Sequence, residues 1–368
     1  MKFIISGGGS GGHIFPAVAI AQTLSRRHPD AEILFIGAEG RMEMEKVPAA
    51  GYRIEGLPIA GLQRKITLRN IIRNLALPFK VIRSRRKARS IIRQFQPDVV
   101  IGVGGFASEP TLKAAAGMGL PTLIQEQNSY AGLTNRTLAR QAKTICVAYD
   151  GMEKFFPAEK IVFTGNPVRD DIARIAVSHE EGAQFFDLDN NHPIVLSVGG
   201  SLGAGSINRM IINNLRFFRD NEVQLIWQTG RWMYDEAISA VTAAGMGRWI
   251  KVHPFISRMD MAYAAAEVIV SRAGAIAISE LCLVGKPMLL IPSPNVAEDH
   301  QTKNAMALVA KGAAIMVPDS KCAAEALPQM LALLHSEERR NTMSSTCRAL
   351  GVVGSADKIV DEIEKLCS

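Results

Sequence analysis

Short runs of apolar residues alternate with amphipathic segments along nearly the whole chain of 368 residues. In the amphipathic segments the apolar residues recur every three or four positions, which is the spacing of a helix, whereas short apolar runs are typical of buried strands. Strands that alternate with helices form parallel sheets with right-handed crossovers. We therefore predict an α/β fold, with strands near residues 2–6, 32–36, 98–103, 121–125, 144–148, 160–164, 194–198, 223–228, 249–253, 267–270, 287–291 and 313–317.

Each half of the chain opens with an apolar strand that runs into a glycine-rich loop. The loop Gly7–Gly12 precedes one predicted helix, and the loop Gly199–Ser206 precedes another. In doubly wound sheets such a loop brings a helix N-terminus to the edge where ligands bind. The repetition predicts two Rossmann-like domains that face each other across a cleft, over residues 1–164 and 165–351. We expect the amphipathic stretch at about 352–368 to pack back on the first domain.

Composition narrows the class of protein. Hydrophobic residues make up 48% of the chain, which is enough for two buried cores, and no apolar window reaches the length of a transmembrane helix. The N-terminus lacks the apolar region of a secretory signal, so we expect a cytoplasmic protein. The cysteines lack metal-binding spacing, so we expect reduced thiols and no metal site. They are Cys146, Cys282, Cys322, Cys347 and Cys367.

The net charge of +7 comes from one segment of the chain. Between Gly56 and Pro97 there are 11 basic residues and no acidic one, which leaves 31 basic against 35 acidic residues elsewhere. Apolar residues at helical spacing accompany them, a combination that favours contact with an anionic membrane surface. A solvated helix with its apolar side in the core is the alternative, and nucleic acid is disfavoured because aromatic residues are scarce. The predicted membrane patch comprises Arg69, Arg73, Lys80, Arg83, Arg85, Arg86 and Lys87.

Gly7, Gly9 and Gly12 have the spacing of the dinucleotide fingerprint, which by itself is a weak signal. That fingerprint also requires an acidic residue about 20 positions later, to bind a ribose hydroxyl. Glu39 comes late for this role, and His13 would crowd a pyrophosphate. An NAD- or FAD-dependent oxidoreductase is therefore the minor interpretation of this loop.

Polar residues lie near the carboxyl ends of several predicted strands, where such folds place their chemistry. Glu280 stands among apolar neighbours on a predicted helix, and a ribose diol can donate two hydrogen bonds to it; a structural salt bridge is the alternative. Gln301 begins another helix that should face the same cleft, and we expect Arg169 to neutralise a diphosphate. His13 is the leading general base because imidazole titrates near neutral pH, and Glu126 is the competing base or its orienting partner.

Six motifs occur in order along the chain: Gly-Gly-x-Gly-Gly-His, Glu-Gln-Asn, Gly-Asn-Pro-Val-Arg, Gly-Gly-Ser-x-Gly-Ala, Ser-Arg-x-Gly-Ala with Ser-Glu after it, and Asp-His-Gln-Thr-x-Asn-Ala. Together they resemble the MurG family, which adds N-acetylglucosamine to undecaprenyl-diphospho-muramoyl-pentapeptide for the bacterial cell wall. The resemblance implies a GT-B glycosyltransferase fold with an N-terminal acceptor domain and a C-terminal donor domain. It also implies UDP-N-acetylglucosamine as a substrate, inversion at the anomeric carbon, and no cofactor or metal.

The resemblance further implies roles for individual residues in binding the donor. Arg169 and Ser201 would hold the diphosphate, and the backbone at Ile256 would bind the uracil. Glu280 would bind the ribose and Gln301 the donor sugar. The full set of donor-binding residues is Ser10, Gly11, Gly12, Asn128, Arg169, Ser201, Ile256, Ala275, Ile276, Ala277, Ile278, Ser279, Glu280 and Gln301.

Two positions depart from the family's pattern. Ser10 stands where the family commonly has Thr, which keeps the hydroxyl, and Leu202 replaces a common Gln, which removes one amide contact to the donor. A lipid-linked acceptor would require the first domain to sit on the anionic cytoplasmic leaflet of the cell membrane. Besides the oxidoreductase, the alternatives are a GT-B transferase with another acceptor and a non-catalytic protein that binds lipid or nucleic acid.

Overall fold

The protein is seen here as a computed structural model that describes residues 1–9, 11–59, 77–168, 172, 175–200 and 203–367. The chain divides into two compact units. The first comprises Met1–Val168 and Gly354–Ser368, and the second comprises Arg169–Val353. The division therefore lies four residues after the one predicted from the sequence.

A seven-stranded parallel sheet forms the centre of the first unit. Its strand order is β3-β2-β1-β4-β5-β6-β7, so the chain winds outward from β1 in both directions. Adjacent strands pair in parallel throughout, as in the register Phe3 to Ile33 and Phe3 to Val99. The strands are β1 (Lys2–Ser6), β2 (Glu32–Ala38), β3 (Arg53–Leu57), β4 (Val99–Gly102), β5 (Thr122–Glu126), β6 (Thr144–Val147) and β7 (Ile161–Phe163).

Helices cover both faces of this sheet. Phe3 and Ile5 of β1 pack in a buried cluster with α1, whereas Ile4 points to the opposite face and packs with the clustered side chains of α3 to α5. This alternation is the period of two that a strand imposes on its side chains. The α-helices before residue 168 are α1 (Gly11–Arg27), α2 (Glu43–Ala49), α3 (Leu77–Phe95), α4 (Ser108–Ala116) and α5 (Leu133–Leu138).

The second unit repeats the same winding around a six-stranded parallel sheet in the order β10-β9-β8-β11-β12-β13. Its strands are β8 (Ile194–Val198), β9 (Gln224–Gln228), β10 (Ile250–His253), β11 (Val268–Ser271), β12 (Met288–Leu290) and β13 (Ile315–Met316). Its α-helices are α6 (His179–Phe185), α7 (Gly205–Ile212), α8 (Leu215–Asp220), α9 (Tyr234–Ala243), α10 (Met259–Ala265), α11 (Ala275–Val284), α12 (His300–Val309), α13 (Cys322–Leu334) and α14 (Glu337–Leu350).

The last helix, α15 (Ser355–Glu364), belongs to the first unit although it follows the second in sequence. Ile359 and Ile363 are fully buried in the cluster that contains α1. Around this apolar contact, Arg27 of α1 pairs with Asp361 at 2.6 Å and with Glu364 at 2.7 Å. Burial of the isoleucines supplies most of the stabilisation, because exposed ion pairs contribute about 1 kcal/mol or less.

Every strand predicted from the sequence is confirmed to within two residues at each end, and so are the two Rossmann-like domains. The prediction missed one strand, β3. This strand lies at the edge of the sheet and reads Arg-Ile-Glu-Gly-Leu, with its first three residues not buried. It therefore lacks the continuous apolar run that identifies the buried parallel strands. Among the helices of the described residues, none is long and apolar enough to cross a membrane.

Candidate active site

The first glycine loop leaves β1 and is held by a buried carboxylate. The N–H of Gly9 donates to Oε2 of Glu43 at 2.9 Å, and the N–H of Ala38 donates to Oε1 at 3.0 Å. Gly8 has φ +150°, and a Cβ there would lie 2.2 Å from Glu43 Oε1. Glu43 is 1% exposed, and its two hydrogen bonds fix the path of the loop. The sequence did not predict this role of Glu43. A buried carboxylate requires hydrogen-bond donors, and here the backbone of the loop supplies them.

A second glycine turn, after β4, packs against the first loop. A Cβ on Gly105 would lie 2.2 Å from the carbonyl oxygen of Gly8, and one on Gly104 would lie 2.9 Å from Cδ2 and Nε2 of His13. Ser108 Oγ fixes this turn by donating to the carbonyl of Gly104 at 2.9 Å. The half-buried imidazole of His13, in the first turn of α1, therefore lies directly on the backbone of Gly104.

Glu126 ends β5 and organises the loop that follows it. Its Oε1 accepts from the backbone N–H of Asn128 at 3.0 Å and from the Asn128 side chain at 3.1 Å. Its Oε2 accepts from the N–H of Gly132 at 3.0 Å and from Asn135 Nδ2 at 2.8 Å. The residue is 1% exposed. Both oxygens of Glu126 are thus engaged by donors, and one consequence is a fixed position for Asn128.

Buried amides join β5 to the loop that leads out of the first unit. Gln125 Nε2 donates to Asn166 Oδ1 at 3.1 Å, and Asn166 Nδ2 donates to the carbonyl of Gln127 at 3.0 Å. Gln127 Nε2 in turn donates to the carbonyl of Val103 at 2.8 Å. The segment Thr164–Val168 is therefore anchored to the edge of the sheet, one residue before the predicted diphosphate ligand Arg169.

In the second unit the glycine loop after β8 leads into α7. Gly203 has φ +79°, and a Cβ there would lie 2.1 Å from the carbonyl of Thr229, so only glycine fits. The N-cap residue is Ala204, whose side chain cannot accept a hydrogen bond from the first N–H groups of the helix. The N-terminus of α7 thus keeps the partial positive charge that binds anions.

Arg272, directly after β11, fixes the start of α7. Its guanidinium contacts Asp319 Oδ1 at 2.5 Å, Ser206 Oγ at 2.9 Å and the carbonyl of Ile291 at 3.0 Å. Ser206 also donates to Asp319 at 2.5 Å. The side chain of Arg272 is 14% exposed. One guanidinium therefore ties together α7, the end of β11 and the end of β12. Its role was not predicted, because its partners are distant in sequence.

The predicted nucleoside segment Ala275–Glu280 forms the first turn and a half of α11. Glu280 is half-buried, and Tyr263 of α10 donates its hydroxyl to Glu280 Oε2 at 3.2 Å. Ala275 and Ile278 are buried in the core, so their side chains are not available to a ligand, whereas Ile276, Ala277 and Ser279 are half-buried. Two side chains of the predicted segment thus serve packing, and the nucleoside contact of the segment stays a prediction.

Two further predicted donor contacts have partners within the second unit. The N–H of Ile256 donates to Gln228 Oε1 at 2.9 Å, so a uracil that used this N–H would have to displace the Gln228 side chain. Gln301, on the first turn of α12, accepts from the N–H of Ser293 at 2.8 Å through Oε1. This hydrogen bond joins the proline loop to the start of the helix, and the sugar contact predicted for Gln301 stays a prediction.

The predicted residues thus fall into two sets, each at the carboxyl edge of its own sheet. The first unit holds Gly11, Gly12, His13, Glu126 and Asn128, and the second holds Ile256, Ala275–Glu280 and Gln301. Ser10, Arg169, Ser201, Leu202, Arg69 and Arg73 lie outside the described residues, so their roles stay predictions.

The described part of the chain contains no group of three or more His, Cys, Asp or Glu residues suited to a metal ion. All five cysteines are free, and all but Cys367 are buried. Burial raises the pKa of Cys282 to about 12 and that of Cys322 to about 11, which keeps these thiols protonated and unreactive.

Comparisons with known proteins all find glycosyltransferases of one family. Residues 3–147 match the glycosyltransferase family 28 N-terminal domain, and residues 194–359 match the family 28 C-terminal domain. The chain is 55% identical over 366 residues to a protein of Parabacteroides distasonis named UDP-N-acetylglucosamine–N-acetylmuramyl-(pentapeptide) pyrophosphoryl-undecaprenol N-acetylglucosamine transferase, covering 99% of this chain and 98% of that one. It is 50% identical to the protein of the same name from Christiangramia forsetii, covering 100% and 98%. The crystal structure of Acinetobacter baumannii MurG superposes with a TM-score of 0.79 at 30% identity, covering 99% of each chain.

Arg272 offers a direct test of how the N-terminus of α7 is positioned. In Arg272→Lys the charge stays, but one ammonium cannot reach Ser206, Asp319 and the strand-end carbonyls together. We expect the affinity for UDP, measured by titration calorimetry, to fall by on the order of 10-fold, the effect of one lost charge-assisted hydrogen bond. Arg258→Lys is the matched control, because Arg258 is an exposed partner of Asp260 in the same unit. Unchanged UDP affinity in a folded Arg272→Lys protein would contradict this positioning role.

Proposed function

The chain belongs to glycosyltransferase family 28, and we propose from that premise that it transfers N-acetylglucosamine from UDP-N-acetylglucosamine to undecaprenyl-diphospho-muramoyl-pentapeptide. The observation that carries this function is identity of 50–55% to transferases of that name over essentially the whole chain. The resemblance to the MurG family seen in six motifs agrees with it. The glycine loop of the first unit is therefore not a dinucleotide site, and the protein is a hexosyltransferase that acts in peptidoglycan synthesis.

The reaction is a single displacement at the anomeric carbon of the donor sugar. A base takes the proton of the muramoyl 4-hydroxyl as its oxygen attacks C1, the bond from C1 to the diphosphate oxygen breaks, and UDP leaves with the electron pair. This path inverts the configuration at C1. The chemistry requires a base on the acceptor side and positive charge beside the departing diphosphate.

His13 is the base that the geometry favours. Its imidazole is half-buried on Gly104, beside the loop that Glu43 fixes, and imidazole titrates near neutral pH. Glu126 is the less suitable base because four hydrogen bonds already engage its two oxygens. We assign Glu126 the positioning of Asn128, which then contacts the donor sugar.

The second unit binds the donor without a metal ion. The N-terminus of α7, positioned by Arg272, and Arg169 together meet the charge of the diphosphate. Tyr263 donates to Oε2 of Glu280, and we assign this carboxylate to the ribose hydroxyls. Gln301 presents its amide NH2 to the sugar while its oxygen holds the proline loop.

The first unit binds the membrane through the outer face of α3. Phe79 is 76% exposed and Ile82 is 50% exposed, although both are apolar, while Ala88 and Ile92 on the opposite side are buried in the core. We call the exposed side the membrane face; it comprises Phe79, Lys80, Ile82, Arg83, Arg86, Lys87 and Arg93. Basic residues around exposed apolar ones suit an anionic leaflet, each contributing about 1 kcal/mol near its surface. We assign this leaflet to the cytoplasmic side of the cell membrane, as the resemblance to the MurG family implies.

Removal of His13 tests the catalytic assignment and the absence of a metal together. In an assay that contains EDTA, wild-type protein should form the lipid-linked disaccharide from UDP-N-acetylglucosamine and the lipid-linked acceptor. His13→Ala should lower kcat by roughly 10²- to 10⁴-fold, the usual contribution of a positioned base, with the KM for the donor little changed. His335→Ala, at an exposed histidine of the second unit, serves as control. Near-normal turnover in His13→Ala would move the role of base to Glu126.

A second variant tests the ribose contact of Glu280. Glu280→Gln should weaken UDP binding by about 1–3 kcal/mol, because the hydrogen bonds lose their charge assistance. Calorimetric titrations with UDP and with 2′-deoxy-UDP should then show a smaller penalty for the missing hydroxyl in the variant than in wild type. Glu338→Gln, at an exposed carboxylate of the same unit, is the control. Equal penalties in wild type and Glu280→Gln would place the carboxylate away from the ribose.

A further inference from the structure

The first glycine loop has the spacing of a dinucleotide fingerprint, although the chain belongs to a family of glycosyltransferases. In dinucleotide-binding proteins the backbone N–H groups of such a loop bind the pyrophosphate. Here the N–H of Gly9, the second glycine of the fingerprint, donates to Glu43 Oε2 at 2.9 Å. A carboxylate of the chain itself thus occupies one of the donors that the fingerprint would offer to a phosphate.

Glu43 also joins this loop to the next strand of the sheet. Its Oε1 accepts from the N–H of Ala38, the last residue of β2, at 3.0 Å. Glu43 therefore bridges the carboxyl ends of β1 and β2, with one backbone donor on each oxygen. The side chain is 1% exposed, and burial strengthens charge-assisted hydrogen bonds of this kind.

Two glycines leave the space that the side chain of Glu43 occupies. A Cβ on Gly8 would lie 2.2 Å from Glu43 Oε1, and a Cβ on Gly37 would lie 2.6 Å from Glu43 Cγ. Gly8 also has φ +150°, a conformation that residues with a side chain rarely adopt. The internal carboxylate therefore accounts for both glycines without any ligand at the loop.

The loop that Glu43 holds packs against the turn on which the His13 ring lies. A Cβ on Gly105 of that turn would lie 2.2 Å from the carbonyl oxygen of Gly8. A Cβ on Gly104 would lie 2.9 Å from two ring atoms of His13. The loop and the turn are thus in contact through their backbones, so a shift of the loop would also shift the surface under the imidazole.

We propose that Glu43 is a positioning residue for the acceptor side of the reaction. Its carboxylate holds the first glycine loop against the turn at Gly104, and His13 therefore meets the acceptor hydroxyl in a fixed geometry. Both oxygens are required, because each accepts from a backbone N–H, whereas a glutamine offers one acceptor and turns a donor toward the other N–H. This role rests on the proposed transfer with His13 as its base, and it adds a residue that acts through His13.

The isosteric variant Glu43→Gln tests this role by kinetics with UDP-N-acetylglucosamine and the lipid-linked acceptor. The number of UDP sites per chain, measured by calorimetry, gives the fraction of folded protein, and kcat is expressed per site. We expect kcat to fall by about 10- to 100-fold, since misplacing a catalytic group by about 1 Å can cost that much. The affinity of the remaining sites for UDP should change by less than about twofold, because the residues assigned to the nucleotide lie in the second unit.

Glu364→Gln is the matched control. Glu364 accepts from Arg27 and lies 2.7 Å from His28, so it binds at the far end of the helix that carries His13. Partial unfolding lowers the number of UDP sites and leaves kcat per site unchanged, which is the result expected for this control. A value of kcat per site in Glu43→Gln within about twofold of wild type would overturn the positioning role.

Hydrogen exchange in the wild-type protein tests the same role without any substitution. The amide of Gly9, measured by NMR without ligands, should be protected from exchange because the buried carboxylate holds it. Rapid exchange at Gly9 would overturn the role of Glu43 even if the variant failed to fold. A wild-type protein that transfers no sugar would overturn the proposed function and this role with it, whereas an active wild type with a normal Glu43→Gln would overturn this role alone.

Discussion

Loops that leave the edge of a parallel sheet must satisfy their own backbone hydrogen bonds, and here buried charged side chains do so. Glu43 accepts from Gly9 in the first glycine loop, and Glu126 accepts from Asn128 and Gly132 in the loop after β5. In the second unit Arg272 donates to the strand-end carbonyl of Ile291. Removing any of these side chains would leave buried polar groups without partners, at a cost of about 1–3 kcal/mol each.

The same contacts explain how the two units can act on a sugar nucleotide. A catalytic group contributes most when its surroundings hold it in place before the substrate arrives. His13, the base of the proposed mechanism, is held in this way, because its ring lies against the glycine turn at Gly104 and Ser108 donates to the carbonyl of that turn. The N-terminus of α7 is held in this way as well, because Ser206 is bound to Arg272 and Asp319. In the proposed mechanism, chemistry and donor binding thus depend on these supporting side chains as well as on the residues assigned to the substrate.

The sequence predicted the elements well and the supporting contacts poorly, for a physical reason. Buried parallel strands and amphipathic helices can be recognised from the local spacing of apolar residues. For that reason the half-exposed edge strand β3 was the only strand of the described residues that was missed. Arg272 and Asp319 are 47 residues apart, and no local pattern relates them. The motifs identified Glu280 and Gln301 by resemblance, but Tyr263 and Ser293 became visible only when the chain was folded.

The central claim is that the second unit is a site for a uridine nucleotide, not for a dinucleotide cofactor. The most direct test is the thermal unfolding of the protein with a panel of ligands in the presence of EDTA. A ligand at 100 times its dissociation constant stabilises the folded state by about 2.7 kcal/mol. We predict that UDP and UDP-N-acetylglucosamine raise the Tm by several degrees, whereas NAD(H) and FAD leave it unchanged. A rise with NAD(H) or FAD and none with UDP would contradict the account.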